Sequence, residues 1–299
     1  MGKADRNRRE NAREKIAAQQ AAARRAERRR QLLLAGGSVV AVLAIVVGFI
    51  VVKSLQKPAS AGAAASGSAA STVTRQLAAV PATTLDKIGK GTTYSNAIQT
   101  VHGSTTVLTQ DGKPVISYVG AEYCPYCAAE RWALVTALSR FGTFSNLGLI
   151  HSSSTDVDPS TPTLTFYKSS YTSKYFIFNT TEAQTVTHAT LEPLTSLDNQ
   201  LMSKYDVPPY VPSSQDDGSF PFVDFGNKYV IDGASYDPGV LAGKTWAQVA
   251  TALQDPTSAI AESADGAANL ITAAICKVTN GQPGNVCTSA GVTSANGAL

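Results

Sequence analysis

Ala121-Glu122-Tyr123-Cys124-Pro125-Tyr126-Cys127 is the stretch on which the reading of this chain turns. Two cysteines two residues apart follow the apolar run Val115-Ile116-Ser117-Tyr118-Val119 and precede a helical pattern. The order predicts a strand, a tight turn and a helix start. Pro125 suits the first helical turn, where its missing N–H costs nothing. A thiol at a helix N-terminus sits where unpaired N–H groups and the helix dipole favour the thiolate. The second thiol is one turn further on, near enough to close a small disulfide ring. The chemistry this suggests is thiol–disulfide exchange at Cys124 and Cys127.

Upstream, charge and hydropathy are unevenly placed. Residues 1–30 hold 11 Lys/Arg and 4 Asp/Glu, a net of +7, and the remainder is −4, giving the overall +3. Leu32 to Val52 then runs for 21 residues without a charge, and roughly 20 apolar residues span a bilayer core as a helix. Arg28-Arg29-Arg30 abuts its start, so the positive-inside rule predicts a cytoplasmic arm (1–31), one transmembrane helix (32–52) and an extracytoplasmic remainder. A cleaved signal peptide is the rival, with Ala59-Ser60-Ala61 as a cutting site. Its apolar region would be shorter, about 7–15 residues after a short head. The arm is expected to meet anionic lipid. It has no aromatic interleaving and no recognisable nucleic-acid module, so no nucleic-acid partner is expected. Residues 53–72, rich in Ala, Ser and Gly, read as a flexible tether.

The folded domain is expected over 73–290. Thr74 to Val80 and Thr84 to Ile88 suggest short helices, stopped by Pro81 and Gly89. Thr106 to Leu108 and Pro114 to Val119 suggest strands joined at Asp111-Gly112. Behind the cysteines a helix carries Trp132, Val135, Leu138 and Phe141 and ends at Gly142. Leu147 to His151 is a strand. Leu164 to Tyr167 and Tyr175 to Phe178 look like a hairpin. Leu194, Leu197, Leu201 and Tyr205 recur at helical spacing. Phe220 to Phe225 and Lys228 to Ile231 form a hairpin around Gly226-Asn227. Thr245 is a helix N-cap, and a second helix runs from beyond Pro256 to Cys276. Residues 291–299 are small and polar and are expected to be a loose tail.

A strand–CxxC–helix unit, then a proline opening a hairpin, then a closing helix, resembles the thioredoxin fold. Gly120 to Cys124 is similar to the approach to the redox site in thioredoxins, and Cys124-Pro125-Tyr126-Cys127 to the tetrad of glutaredoxins. Periplasmic disulfide oxidoreductases offer the closest setting, since they too carry a helical insertion. The chain as a whole also resembles a prokaryotic family of membrane-anchored thioredoxin-like proteins classed as a domain of unknown function. The expected architecture is therefore α/β: a thioredoxin-like central sheet flanked by helices, with a helical insertion, preceded by a single transmembrane helix. The resemblance implies that Cys124 is the exposed, attacking cysteine and Cys127 the buried, resolving one. It implies that Pro221, with Phe220 beside it, is the cis-proline facing the dithiol, with Pro162 as a rival for that place. Pro125 and Tyr126 complete the substrate-contacting set. One departure stands out. Thioredoxins bury an acid six residues before the first cysteine, where this chain has Tyr118. Glu122 is the nearest acid in sequence and is expected at the surface.

Cys276 and Cys287 are expected to form a structural disulfide, since disulfides persist outside the membrane. A second redox pair and a four-cysteine zinc site are alternatives, the latter weakened by the absence of knuckle spacing in the second pair. His102, His151 and His188 do not adjoin the cysteines in sequence. The expected activity is that of an anchored extracytoplasmic thiol–disulfide oxidoreductase without a cofactor. Its partners would be protein dithiols or disulfides and a membrane redox protein. The alternative is a non-catalytic thioredoxin-like binding module at the cell envelope.

Overall fold

The computed structural model of the chain describes residues 67–103 and 106–299. The expected basic arm and transmembrane helix lie outside the described residues, as does most of the expected tether. Among the described residues no helix is long and apolar enough to cross a membrane.

The central sheet is mixed. Strand β3 (Lys113–Gly120) lies between β8 (Ile177–Glu182), which runs parallel to it, and β9 (Phe222–Phe225), which runs antiparallel. Strand β10 (Tyr229–Asp232) continues the sheet beyond β9, and β1 (Gln99–Thr100) closes that edge; β2 (Thr109–Gln110) pairs with the start of β3. Ile116 and Tyr118 of β3, Val223 and Phe225 of β9 and Ile231 of β10 face one large core, while Val119, Phe222 and Val230 face a smaller one on the opposite side. This is the period-2 alternation of strands covered on both faces. Helix α3 (Pro125–Leu138) serves the large core and is buried on nearly every side. Helix α4 (Ser196–Tyr205) covers the small one through Leu201, Met202 and Tyr205. Thr195 starts α4 with a capping box, its hydroxyl accepting from the Asp198 N–H while the Asp198 carboxylate accepts from the Thr195 N–H.

Two small antiparallel pairs lie between α3 and β8. Strand β4 (Gly142–Ser145) pairs with β7 (Ser170–Ser173), and β5 (Gly148–His151) with β6 (Pro162–Thr165). The expected hairpin of Leu164–Tyr167 with Tyr175–Phe178 is therefore not formed. The seven residues between those runs contain β7, which turns back to β4, so β6 pairs with β5 and β8 joins β3. Gly142 opens β4 instead of ending α3, which stops at Leu138.

The helical side is completed by α1 (Ser68–Ala78), α2 (Ala82–Ile88), α5 (Trp246–Ala252), α6 (Ala259–Val278), α7 (Gly284–Cys287) and α8 (Ala290–Asn296). Two expectations are corrected here. Helix α1 begins inside the stretch read as tether, because Ala70, Val73 and Leu77 form a buried stripe in a segment of good helix formers. The tail is not loose: residues 290–296 form α8, which buries Val292 and Ala295. Gly291 is what lets α8 approach so closely. A Cβ there would lie 2.5 Å from the Leu85 carbonyl oxygen, and the Gly291 N–H donates to Asp86. Asn269, inside α6, donates to the Leu85 and Gly89 carbonyls and so caps the last turn of α2. Cys276, near the end of α6, is bonded to Cys287 of α7 across 11 residues of sequence. A cross-link of this span stabilises by about 3 kcal/mol in the chain-entropy account.

Candidate functional site

The site is built where β3 stops and α3 starts. Cys124 is the N-cap of α3, and its sulfur takes the place of the usual capping oxygen by accepting the Cys127 N–H at 3.3 Å. Pro125 is the first helical residue. Cys127 packs one turn below, fully buried, and its sulfur accepts the Ala121 N–H at 3.5 Å. Both cysteines are free thiols. From the far side of the sheet, the loop entering β9 brings Phe220 over them, and the Cys124 thiol lies 3.5 Å from the Phe220 carbonyl oxygen. The Phe220–Pro221 bond is cis. Pro162 instead sits in β6, where its carbonyl accepts from the Trp132 indole N–H. Cys124, Pro125, Tyr126, Cys127, Phe220 and Pro221 thus converge. Cys276 and Cys287 belong to the helical side and do not join them.

The first correction concerns access. The Cys124 side chain was expected to be exposed, but the residue is only 5 % exposed. Ala121, Tyr123 and Phe220 pack around the two thiols and cover them. Tyr126, 42 % exposed, is the member of the tetrad that faces outward.

The two thiols are driven apart in acidity. The Cys127 thiol donating to it holds Cys124 below the ordinary thiol range; burial opposes this, while the Cys127 N–H, the Arg131 charge and the Tyr126 N–H add to it. Burial pushes Cys127 far up, and its hydrogen bond to Cys124 and the charge there push the same way, against Arg131 and the Ala121 N–H. The two sulfurs are thereby made unequal, the thiolate form being favoured at Cys124 and the thiol form at Cys127.

Arg131 is the residue that sequence reading missed. It lies one turn beyond Cys127, is fully buried, and forms a two-point pair with Glu182: Nε to Oε1 at 2.9 Å and Nη2 to Oε2 at 2.6 Å. Nη2 also donates to the Ala121 carbonyl inside the turn that carries the cysteines. Glu182 is supplied by β8, in register with Gly120 of β3, and accepts the Phe166 N–H as well. Burial works against the guanidinium charge, but Glu182 keeps it protonated. A buried acid thus reaches the site from the neighbouring strand and is locked to an arginine. The position six residues before Cys124 holds Tyr118, fully buried, whose hydroxyl rests where a Gly120 Cβ would be. Only glycine at 120 admits that ring. The Tyr118 hydroxyl and Arg131 Nη1 have no hydrogen-bond partner among the described residues.

Glu122 is the second correction. It is half-buried, its carboxylate accepts the Thr165 hydroxyl at 2.8 Å, and burial raises its pKa. The signal that was available for the inner shell is Glu130-Arg131, two adjacent charges inside an otherwise apolar helix. Glu130 is fully buried too. Its carboxylate accepts the Ser235 N–H and hydroxyl, fastening the loop after β10 beside the site. Among the described residues no group of three or more His, Cys, Asp or Glu side chains is arranged to hold a metal ion.

No curated protein and no solved structure matches the chain. A family model described as a domain of unknown function, DUF929, matches residues 99–277, from β1 to the end of α6 with the dithiol inside. That match covers more than half of the 299 residues, and the chain belongs to the DUF929 family.

Proposed function

We propose that the protein is a membrane-anchored thiol–disulfide oxidoreductase of thioredoxin-like fold that acts outside the cytoplasm through Cys124 and Cys127. The observation that carries the reading is the Cys124 sulfur: it caps α3, is held towards thiolate, and lies 3.5 Å from the Phe220 backbone carbonyl. A substrate segment lying along Phe220 would bring its sulfur to that atom. The strand–turn–helix unit, the later hairpin opened by Pro221 and the closing helix α6 fit the thioredoxin-like reading. The charge-free run of residues 32–52 after a basic arm is what supports the anchor and the topology.

In the oxidising direction a substrate thiolate attacks Cys124 Sγ of the disulfide form, and Cys127 leaves as thiolate. It takes up a proton, as its high pKa favours. A second substrate thiolate then attacks the substrate sulfur of the mixed disulfide, and Cys124 leaves. Two electrons pass from the substrate dithiol to the pair, and a disulfide-bearing redox partner must take them up. Reduction is the reverse sequence. Because the Cys124 thiolate is stabilised, the reduced pair is favoured, and a favoured reduced form makes the disulfide form the stronger oxidant.

A second reading, a binding module without exchange chemistry, draws on the cover over the thiols, Cys124 being 5 % exposed. The two separate on Cys127→Ser in the full chain, made in cells and trapped with acid. The exchange reading expects mixed disulfides through Cys124 that dithiothreitol releases and that Cys124→Ser prevents. Their absence, with the variant present and folded, sinks it.

A further inference from the structure

Beside the dithiol a groove of about 310 Å³ opens between Tyr126 of α3, Phe220, Tyr94 and the loop after β10. Its aromatic rim is unusual in being exposed: Tyr94 and Tyr126 are two of the four large apolar side chains that stand out to solvent among the described residues. Its wall is acidic. Asp232, at the end of β10, and Asp216 line it. Asp206, just past α4, faces Asp232 from the buried side and is 1 % exposed. Neither oxygen of Asp206, nor Oδ2 of Asp232, has a donor in good hydrogen-bonding geometry among the described residues, although the Asp232 carboxyl and the Ser219 and Gly218 N–H groups lie close to Asp206.

Two carboxyls turned towards one another, with no salt bridge to either among the described residues, are an arrangement without its counter-charge. A buried acceptor left unmade is costly, and more so when charged. Burial, the Asp232 charge and the hydrogen bond between the two carboxyls raise Asp206 to about 8, while burial and Asp216 raise Asp232 to about 6 against that same hydrogen bond, so the pair shares one proton when the groove is empty. A proton is one way to complete it. A cationic side chain entering along the groove is the other, and it would lie under Tyr94 and Tyr126, whose ring faces also attract cations. Asp237 and Asp158 add negative charge close to Tyr94.

We propose that this groove selects substrate polypeptides that carry a lysine or arginine within a few residues of the reacting cysteine, the cationic group meeting Asp232 and Asp206 while the cysteine meets Cys124. The assignment rests on the exchange reading for its choice of a cysteine-bearing polypeptide as occupant. Fixed charge at a rim and a buried acceptor pair give specificity by complementarity, not by area.

The test uses the full chain with Cys124→Ala, under reducing conditions, and two labelled peptides identical except for Lys or Glu two residues from their cysteine. The lysine peptide is expected to bind about tenfold more tightly by fluorescence anisotropy, and the ratio should collapse towards one in Asp232→Asn. Asp216→Asn, at an exposed position where folding is not at stake, should reduce it in part. Equal affinities, or preference for the glutamate peptide, overturn the assignment. So does a ratio untouched by Asp232→Asn in a variant that melts like the parent. In parallel, the cysteine-intact chain is given both peptides as mixed disulfides. If neither exchanges while the binding preference persists, the exchange reading fails and the groove stands. If both exchange at the same rate and bind equally, the groove fails and exchange stands.

Discussion

Arg131→Met is expected to destabilise the folded chain by about 3–5 kcal/mol, because it leaves the Glu182 carboxylate buried without its counter-charge. Glu182 is fully enclosed and its pair with Arg131 is two-pointed, so no solvent is available to make up the loss. The Ala121 carbonyl loses its donor in the same substitution. Removing both charges in Arg131→Met/Glu182→Leu should recover part of the loss, since a buried pair replaced by apolar groups of similar size is often near neutral. Recovery is incomplete because the Phe166 N–H then has no acceptor, at about 1–3 kcal/mol. The electrostatic role is read separately. In both variants the Cys124 pKa, followed by thiolate absorbance during a pH titration, should rise by on the order of one unit, because the same cation has gone. A single variant that costs less than about 1 kcal/mol in denaturant unfolding would contradict the structural role; such a cost is typical of a surface pair. An unchanged thiol pKa would contradict the electrostatic one.

Stability is expected to fall as pH rises from about 5 to about 8, with Tm dropping by on the order of 10 °C. The groups responsible are buried carboxyls. Burial raises Glu130 to about 7 despite the Ser235 donors, Asp224 to about 7 despite the Asn227 and Gly226 N–H groups and Lys204, and Asp265 to about 8 despite Arg140. Burial likewise raises Asp206 and Asp232. Each binds its proton more tightly folded than unfolded. Between the ordinary carboxyl range and the raised value the native state holds the extra protons, so the stabilisation is complete in acid and is lost as pH climbs through the raised values. His151 works the other way, its pKa lowered by burial, but it is one half-buried group against five acids. Thermal melts of the full chain at pH 5, 6.5 and 8 decide the matter. Asp265→Asn should flatten the slope, since Asp265 has both oxygens unpartnered among the described residues. A Tm that rises with pH over this window would contradict the burial of these groups.

The dithiol turn was legible because its determinants are local. An apolar run, two cysteines two apart, a proline at the first helical position and a helical stripe all lie within a few turns of chain. The hairpin β9–β10 was legible for the same reason, its turn being Gly226-Asn227, both at positive φ. What could not be read depended on distant pairing. Strand β8 looks like a hairpin partner for β6 in sequence, yet it lies parallel to β3, and this one choice brings Glu182 to Arg131. Charged residues in a helix are read as solvent-facing, and Arg131 is neutralised by a strand 51 residues away. Tyr118 was recognised as a departure, but its setting was not: the ring occupies the space of a missing Gly120 side chain. The groove acids come from segments that only the fold joins, the end of α4, the loop after it and the end of β10. The last residues were read as loose from their small side chains, which are what allow α8 to pack closely.

The measurement that bears most directly on the central reading is catalysis of disulfide exchange by the purified full chain. Oxidation of reduced ribonuclease by the disulfide form and reduction of insulin by the dithiol form are followed side by side, with Cys124→Ser as control. Both reactions should be accelerated by the parent chain, ribonuclease oxidation more strongly, and neither by the variant. A chain that catalyses neither reaction, and whose Cys124–Cys127 pair resists dithiothreitol, would contradict the account.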